Sequence, residues 1–158
     1  MASRESGVRP RPASARQIRI FCDADVLVAG SASTTGASHV LLKLSEVTLI
    51  ECLTSLYAIE EAERNLRVKL PDDVPTFRLI VRTAIIVVPS PSASAVRTLT
   101  GQANTKDLPI LAAALACRAD SLTTFNARHF RPRNSPPIIL QPGEVLTRIR
   151  ASLARLLD

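Results

Sequence analysis

Apolar residues in this chain fall into two kinds of block that alternate from residue 18 onward. The first kind is a short, mostly apolar run: Ile18–Phe21, Val47–Cys52, Ile85–Val88, Leu122–Phe125 and Ile138–Leu140. Runs that are apolar on both faces mark strands buried within a parallel sheet. The second kind recurs at helical spacing. It predicts helices over Ala37–Leu44, Leu53–Leu70 (Leu56, Ile59, Ala62 and Leu66 on one stripe), Asp72–Thr83, Ser92–Gln102, Thr105–Arg118 and Gly143–Leu157. Pro71 stops one helix and Pro89 one strand, with Asp72 or Asp73 available as a cap for the helix between them. Ser31–Gly36 reads as a small-residue loop and Asn126–Arg133 as a turn. Strand–helix alternation from end to end, with no internal repeat, predicts one α/β domain over residues 18–158. Its core is a central parallel sheet of four to five strands between two helix layers.

Residues 1–17 break this pattern. They are rich in Arg, Pro, Ser and Ala without apolar periodicity, and are expected to form a disordered basic tail. Arg4, Arg9, Arg11 and Arg16 against Glu5 supply half of the net charge of +6, so the predicted domain itself is only mildly basic. That balance permits a nucleic-acid partner without establishing one. No run approaches a membrane span and no signal peptide is visible. Cys22, Cys52 and Cys117 lie in apolar surroundings at no metal-like spacing, as small core residues of a reducing cytoplasm do.

The candidate chemistry begins where the first strand ends. In IRIFCDADVLVAG (Ile18–Gly30) the apolar run stops at Asp23 and Asp25, and apolar residues resume as a helix or bend packing back on the sheet. Ligands of open α/β sheets bind beyond the carboxyl ends of such strands. An acid placed there faces a ligand, most simply a divalent cation. The competing role is helix capping, which suits Asp25 better, because an alternate carboxylate points away from Asp23. Asp107 opens the Ala-rich helix just before Pro109 and is equally well placed as a cap. Glu60, Glu61 and Glu63 lie on one helix among Arg64, Arg67 and Lys69, and spacing does not choose between Glu60 and Glu61. Asn126 follows the fourth strand, in SLTTFNARHF.

In order, these features are a strand ending in Asp23, a helix carrying Glu61, KDLPILAAALACRAD with Asp107, and LTTFNARHF. The series resembles the PIN (PilT N-terminus) domain, the fold of VapC-type toxins and related ribonucleases, over about residues 18–145. The resemblance implies a parallel sheet flanked by helices and an acid cluster binding Mg2+ or Mn2+. It also implies RNA as substrate, a homodimer and an antitoxin partner. Carried over by position, the acids are Asp23, Glu61 and Asp107, with Thr124 at the threonine of the last motif. Ala62 and Leu66 fall where the family's helix is apolar, which favours Glu61 over Glu60. Three positions depart from the pattern: Asn126 stands where the family commonly has a fourth acid, His129 where many members have Asp, and Asn104 where some carry an extra Asp.

The expected chemistry is metal-assisted hydrolysis of an RNA phosphodiester. Asp23 and Asp107 would touch the ion, and Glu61 would be a ligand or orient the attacking water. Asn126 would be a weak ligand or water anchor, and Thr124, Arg128 and Arg131 would meet the RNA. Two alternatives stand beside this. Loss of the acid at 126 fits a weakened domain that only binds RNA or a protein. The D-x-D opening also fits a haloacid-dehalogenase-like phosphatase, although no downstream acidic pair follows. Asp120 precedes the fourth strand and is expected at the far end of the sheet. His39 and His129 form no metal pair by spacing.

Overall fold

The computed structural model describes residues 16–158, so all but the last two residues of the predicted tail lie outside the described residues. Five strands form one sheet: β1 (Arg19–Cys22), β2 (Glu51–Ser55), β3 (Ile85–Val88), β4 (Ser121–Thr123) and β5 (Ile138–Leu140). All pairings are parallel, in the order β3-β2-β1-β4-β5. The predicted fold class therefore holds, with five strands. The helices are α1 (Ala24–Ala32), α2 (Ala37–Glu46), α3 (Leu56–Lys69), α4 (Val74–Ala84), α5 (Ala93–Thr98), α6 (Leu108–Ala116) and α7 (Pro142–Ala154). Among the described residues, no helix is long and apolar enough to cross a membrane.

Strand alternation divides the core into two layers. Ile20, Cys22 and Cys52 face one way, onto Val26, Leu27, Leu41, Leu42, Leu66 and Phe77. Phe21, Leu53 and Leu122 face the other, onto Ile110, Leu111, Ala113 and Ala114 of α6. The apolarity of Ile20, Phe21 and Cys22 in β1 is thus explained: both faces of the strand are covered. All three cysteines are free, two fully buried and Cys117 partly so.

Several element boundaries differ from the predicted ones, each for a local reason. The second strand begins at Glu51 rather than Val47, and Val47 and Leu49 are 61% and 66% exposed. These residues close α2 instead. Thr48 takes a left-handed φ of 63°, and the N–H of Leu49 donates to Leu44 O at 2.9 Å. Displacing the strand displaces the next helix. Ser55 ends β2 and caps α3, its hydroxyl accepting from Ala58 N–H, so the helix starts at Leu56 and not Leu53. The fourth strand is Ser121–Thr123 rather than Leu122–Phe125, and the Ser92–Gln102 helix shrinks to Ala93–Thr98. Asp73 occupies the N-cap position of α4 without a side-chain capping bond, and Asp72 lies in the preceding turn of 3-10 helix.

The chain lays down β1, β2 and β3 towards one edge, then returns to place β4 and β5 on the other side of β1. Between β1 and β4 the loops leaving the two carboxyl ends diverge, and an α/β sheet opens its ligand crevice at such a switch point. Asp23 follows β1, and Thr124 follows β4.

Candidate active site

Asp23 sits where β1 becomes α1. Its N–H donates to Thr123 O at 3.0 Å, tying the turn to β4. One carboxylate oxygen, Oδ1, caps the helix by accepting from Ala24 N–H at 2.7 Å, and Oδ2 accepts from the Thr124 hydroxyl at 2.9 Å. Capping and site placement, which the sequence offers as rivals, are both realised by one side chain. Asp23 is only 7% exposed. Burial raises its pKa to about 7, with a further upward push from the charge of Asp25 and a smaller one from Asp107.

Asp25 does not point away, contrary to the sequence expectation. The alternation argument assumes an extended chain, but the backbone turns helical at Ala24 and brings Asp25 into the first turn of α1. There its Oδ2 accepts from Phe125 N–H at 3.0 Å and Asn126 Nδ2 at 3.1 Å, with the Thr124 hydroxyl at 3.4 Å. Its Oδ1 is buried with no hydrogen-bond partner. Burial raises the Asp25 pKa, and the charge of Glu61 adds to the rise.

Asp107 is also a candidate cap, and it does not cap. It occupies the N-cap position of α6 with its side chain free of any capping bond. The residue is 8% exposed, and its Oδ2 is buried without a hydrogen-bond partner, although His129 Nδ1 lies 3.3 Å away. Glu61 is half-buried on α3, and its charge acts on both Asp25 and Tyr57, whereas Glu60 is exposed. Tyr57 donates its phenol hydrogen to Lys106 O at 2.9 Å, and the charges of Glu61 and Asp107 help burial to raise its pKa. Asp23, Asp25, Glu61 and Asp107 are thereby one electrostatic neighbourhood.

The last motif is placed by two short contacts. Asn104 N–H donates to His129 O, and Ala103 pairs with Phe130 in an isolated antiparallel bridge. Gln102 receives Arg131 N–H on its backbone carbonyl and Arg133 N–H on its side-chain oxygen at 2.9 Å. Arg128, Arg131 and Arg133 are all exposed. Thr124 is fully buried on Asp23, so it positions an acid and does not reach a substrate as the sequence expectation has it. Asp120 lies at the opposite end of the sheet, where Oδ2 accepts from Arg19 N–H at 2.8 Å. A shallow apolar cavity of about 130 Å³ at that end, lined by Ile18, Ile138, Val145 and Ile149, presents Asp120 as its one carboxylate.

The fold and site geometry can be set beside known proteins. No family model matches the sequence, and no curated protein matches it. Among solved structures, VapBC2 from Rickettsia felis, bound to a DNA fragment from their promoter, is similar with a TM-score of 0.58 and 17% identity. The match covers 78% of this chain and 98% of that one. This chain has a VapC-type PIN-domain fold. A second structure, the sarcin–ricin loop cleaving toxin VapC20 of Mycobacterium tuberculosis, matches at a TM-score of 0.46 and 12% identity, covering 65% of this chain and 86% of that one.

Within the PIN fold, Asp23, Glu61, Asp107 and the Thr124–Asn126 loop are delivered by four separate segments. The residue that sequence reasoning misplaced is Asp25, and Tyr57 was not singled out. The signal for Asp25 was present in the D-x-D spacing, read with the wrong backbone. Among the described residues no group of three or more His, Cys, Asp or Glu side chains stands arranged to hold a metal ion. The donor chemistry nonetheless fits a hard divalent cation. The acids offer oxygen ligands only, and two buried carboxylate oxygens, on Asp25 and Asp107, have no partner.

Proposed function

We propose that the domain is a divalent-metal-dependent ribonuclease, the toxin of a toxin–antitoxin pair. One observation carries this reading. Buried carboxylates with unpartnered oxygens, Asp25 and Asp107, stand near the carboxyl ends of β1 and β4, and among the described residues only His129 Nδ1, 3.3 Å from Asp107 Oδ2, offers either of these oxygens a positive charge, and only when protonated. Buried like charges are costly unless paired or bound to a cation. Asp23, Asp107 and Glu61 would hold Mg2+ or Mn2+. When bound, the ion supplies Lewis acidity, lowering the pKa of a water and offsetting charge on the phosphate.

The chain's own groups do the rest. Thr124 fixes the Asp23 rotamer, so the carboxylate is pre-set when substrate arrives. Glu61, less buried than the two aspartates, is the group free to orient an attacking water. Asn126 anchors the loop on Asp25. Arg128 and Arg131 on the exposed turn hold the RNA backbone. Of the five aromatic residues, Phe21, Phe77 and Phe130 are buried, while Tyr57 and Phe125 are 37% and 47% exposed. Both lie in segments that carry site residues, as suits RNA whose unpaired bases stack on aromatic rings.

The Rickettsia felis neighbour is a VapBC assembly on DNA, which supports an antitoxin protein as partner here. The same reading carries a homodimer and a cytoplasmic location. A second reading, an RNA- or protein-binding domain without catalysis, draws on Asn126 and on acids that are not drawn in around one point. The phosphatase alternative has no such support: Lys106, its necessary cation, is exposed.

Calorimetric titration of Mn2+ into the wild type, Asp23→Asn and Asp107→Asn, with RNA cleavage assayed with and without chelator, tests the proposal. Binding lost in both variants together with chelator-sensitive cleavage is the expected result. Binding without cleavage favours the second reading, and no binding in the wild type refutes the nuclease.

A further inference from the structure

We infer that Asp25 supplies the fourth carboxylate of the site, so that the charge expected at position 126 stands instead on its hydrogen-bonded partner. The inference rests on the metal-dependent reading above and concerns a residue that reading does not place on the ion. Asp25 and Asn126 form a pair across 101 positions of sequence, joined by Asn126 Nδ2 donating to Asp25 Oδ2 at 3.1 Å. Oδ2 also accepts from Phe125 N–H, and the Thr124 hydroxyl, whose hydrogen goes chiefly to Asp23, lies 3.4 Å away. Every group on that oxygen belongs to the loop leaving β4. An acceptor held by two N–H donors, with a shared hydroxyl at 3.4 Å, is firmly oriented, and that orientation fixes where the other oxygen goes.

The other oxygen, Oδ1, is buried and unpartnered. An ordinary loop-anchoring aspartate would turn both oxygens to donors or to solvent, since a buried acceptor left bare costs free energy. The bare oxygen belongs to a side chain whose charge acts on Asp23 and on which the charge of Glu61 acts. No donor satisfies it, and a cation among these acids would. The amide at 126 is equally informative. Its Nδ2 donates to a carboxylate, a bond that an acid at 126 could make only while protonated. The two positions are thus chemically complementary, one acid and one amide.

The complementarity yields a test that exchanges the two. Mn2+ binding by calorimetry, and chain stability by thermal denaturation in chelator, are measured on the wild type, on Asp25→Asn, and on Asp25→Asn combined with Asn126→Asp. In the single variant the amide oxygen can still accept from Phe125 and Thr124, so the fold is retained. Its Mn2+ affinity should fall roughly tenfold or more, the scale on which groups supporting a metal site act. In the exchanged pair the amide at 25 donates to the carboxylate at 126, and affinity should return to near the wild-type value. A single variant that binds Mn2+ as the wild type does overturns the inference. So does an exchanged pair no better than the single variant. Should Asp25→Asn fail to fold, Asn126→Asp alone decides: added charge at this place must change Mn2+ affinity, and an unchanged affinity overturns the inference. A wild type that binds no Mn2+ is a different failure, that of the nuclease reading itself, and the role of Asp25 falls with it.

Discussion

Replacing Asp23 by Asn should stabilise the metal-free protein at alkaline pH while removing metal binding. The sign follows from the folded-state pKa, raised from 3.8 to about 7 mainly by burial. A raised carboxyl makes its full contribution to stability below its unfolded pKa and loses it as pH climbs to the folded one. At about pH 8 both states are ionised, and the difference of roughly three pKa units corresponds to about 4 kcal/mol of destabilisation. At about pH 5 the folded carboxyl still holds its proton while the unfolded one has lost it, and the cost is only about 1.7 kcal/mol. The wild type should therefore lose about 2 to 3 kcal/mol between these two pH values through this one residue. Asparagine cannot ionise, so the variant lacks that slope. It surrenders a carboxylate oxygen that accepts from either Ala24 or Thr124, which costs about 1 kcal/mol. The net expectation is a variant ahead of the wild type by less than about 1 kcal/mol near pH 5 and by about 3 kcal/mol near pH 8. Urea denaturation in chelator at the two pH values measures both terms. A wild type and variant with parallel pH profiles would refute the reasoning, because the burial of Asp23 would then carry no electrostatic cost.

Three other expectations separate site from scaffold. Glu61→Gln should weaken Mn2+ binding roughly tenfold or more, while Glu60→Gln leaves it unchanged, because only Glu61 is half-buried beside Asp25; calorimetry on the two variants decides between them. Arg19→Met removes a guanidinium that binds Glu51 at 2.6 Å and donates to Cys117 O at 3.0 Å at the far end of β1. It should cost about 1 to 3 kcal/mol in urea denaturation with no effect on Mn2+ affinity. Gly30→Ala would set a methyl group 2.4 Å from Leu42 Cδ1, where α1 crosses α2, and should lower stability by about 1 to 3 kcal/mol. Leu42→Val in the same chain should recover part of that loss, as thermal denaturation would show.

What could be read in the sequence was what local pattern encodes. The β1 run is apolar on both faces because both faces are covered, and periodicity placed Ala62 and Leu66 correctly in the buried side of α3. Errors arose where an apolar residue serves something other than a strand. Val47 and Leu49 carry the apolarity of a strand yet lie exposed in a helix terminus, because the left-handed turn at Thr48 uses their backbone. Strand order was not legible. Nothing near Asp23 announces that β4, a hundred residues later, pairs beside β1 and delivers Thr124 onto its carboxylate. That pairing turns scattered acids into a neighbourhood.

The same limit explains Asp25. Matching residues to a motif one position at a time records an amide at 126 as a missing acid, and a carboxylate at 25 as a spare cap. Charge at a site, however, belongs to the volume that the side chains share, and the two positions meet within 3.1 Å. A cation would respond to the sum of the carboxylates around it and to their reach, with no regard to which strand supplied them. Judged by position the site lacks an acid. Judged by mutual charge effects, Asp23, Asp25, Glu61 and Asp107 act on one another, and the amide of Asn126 holds one of them in place.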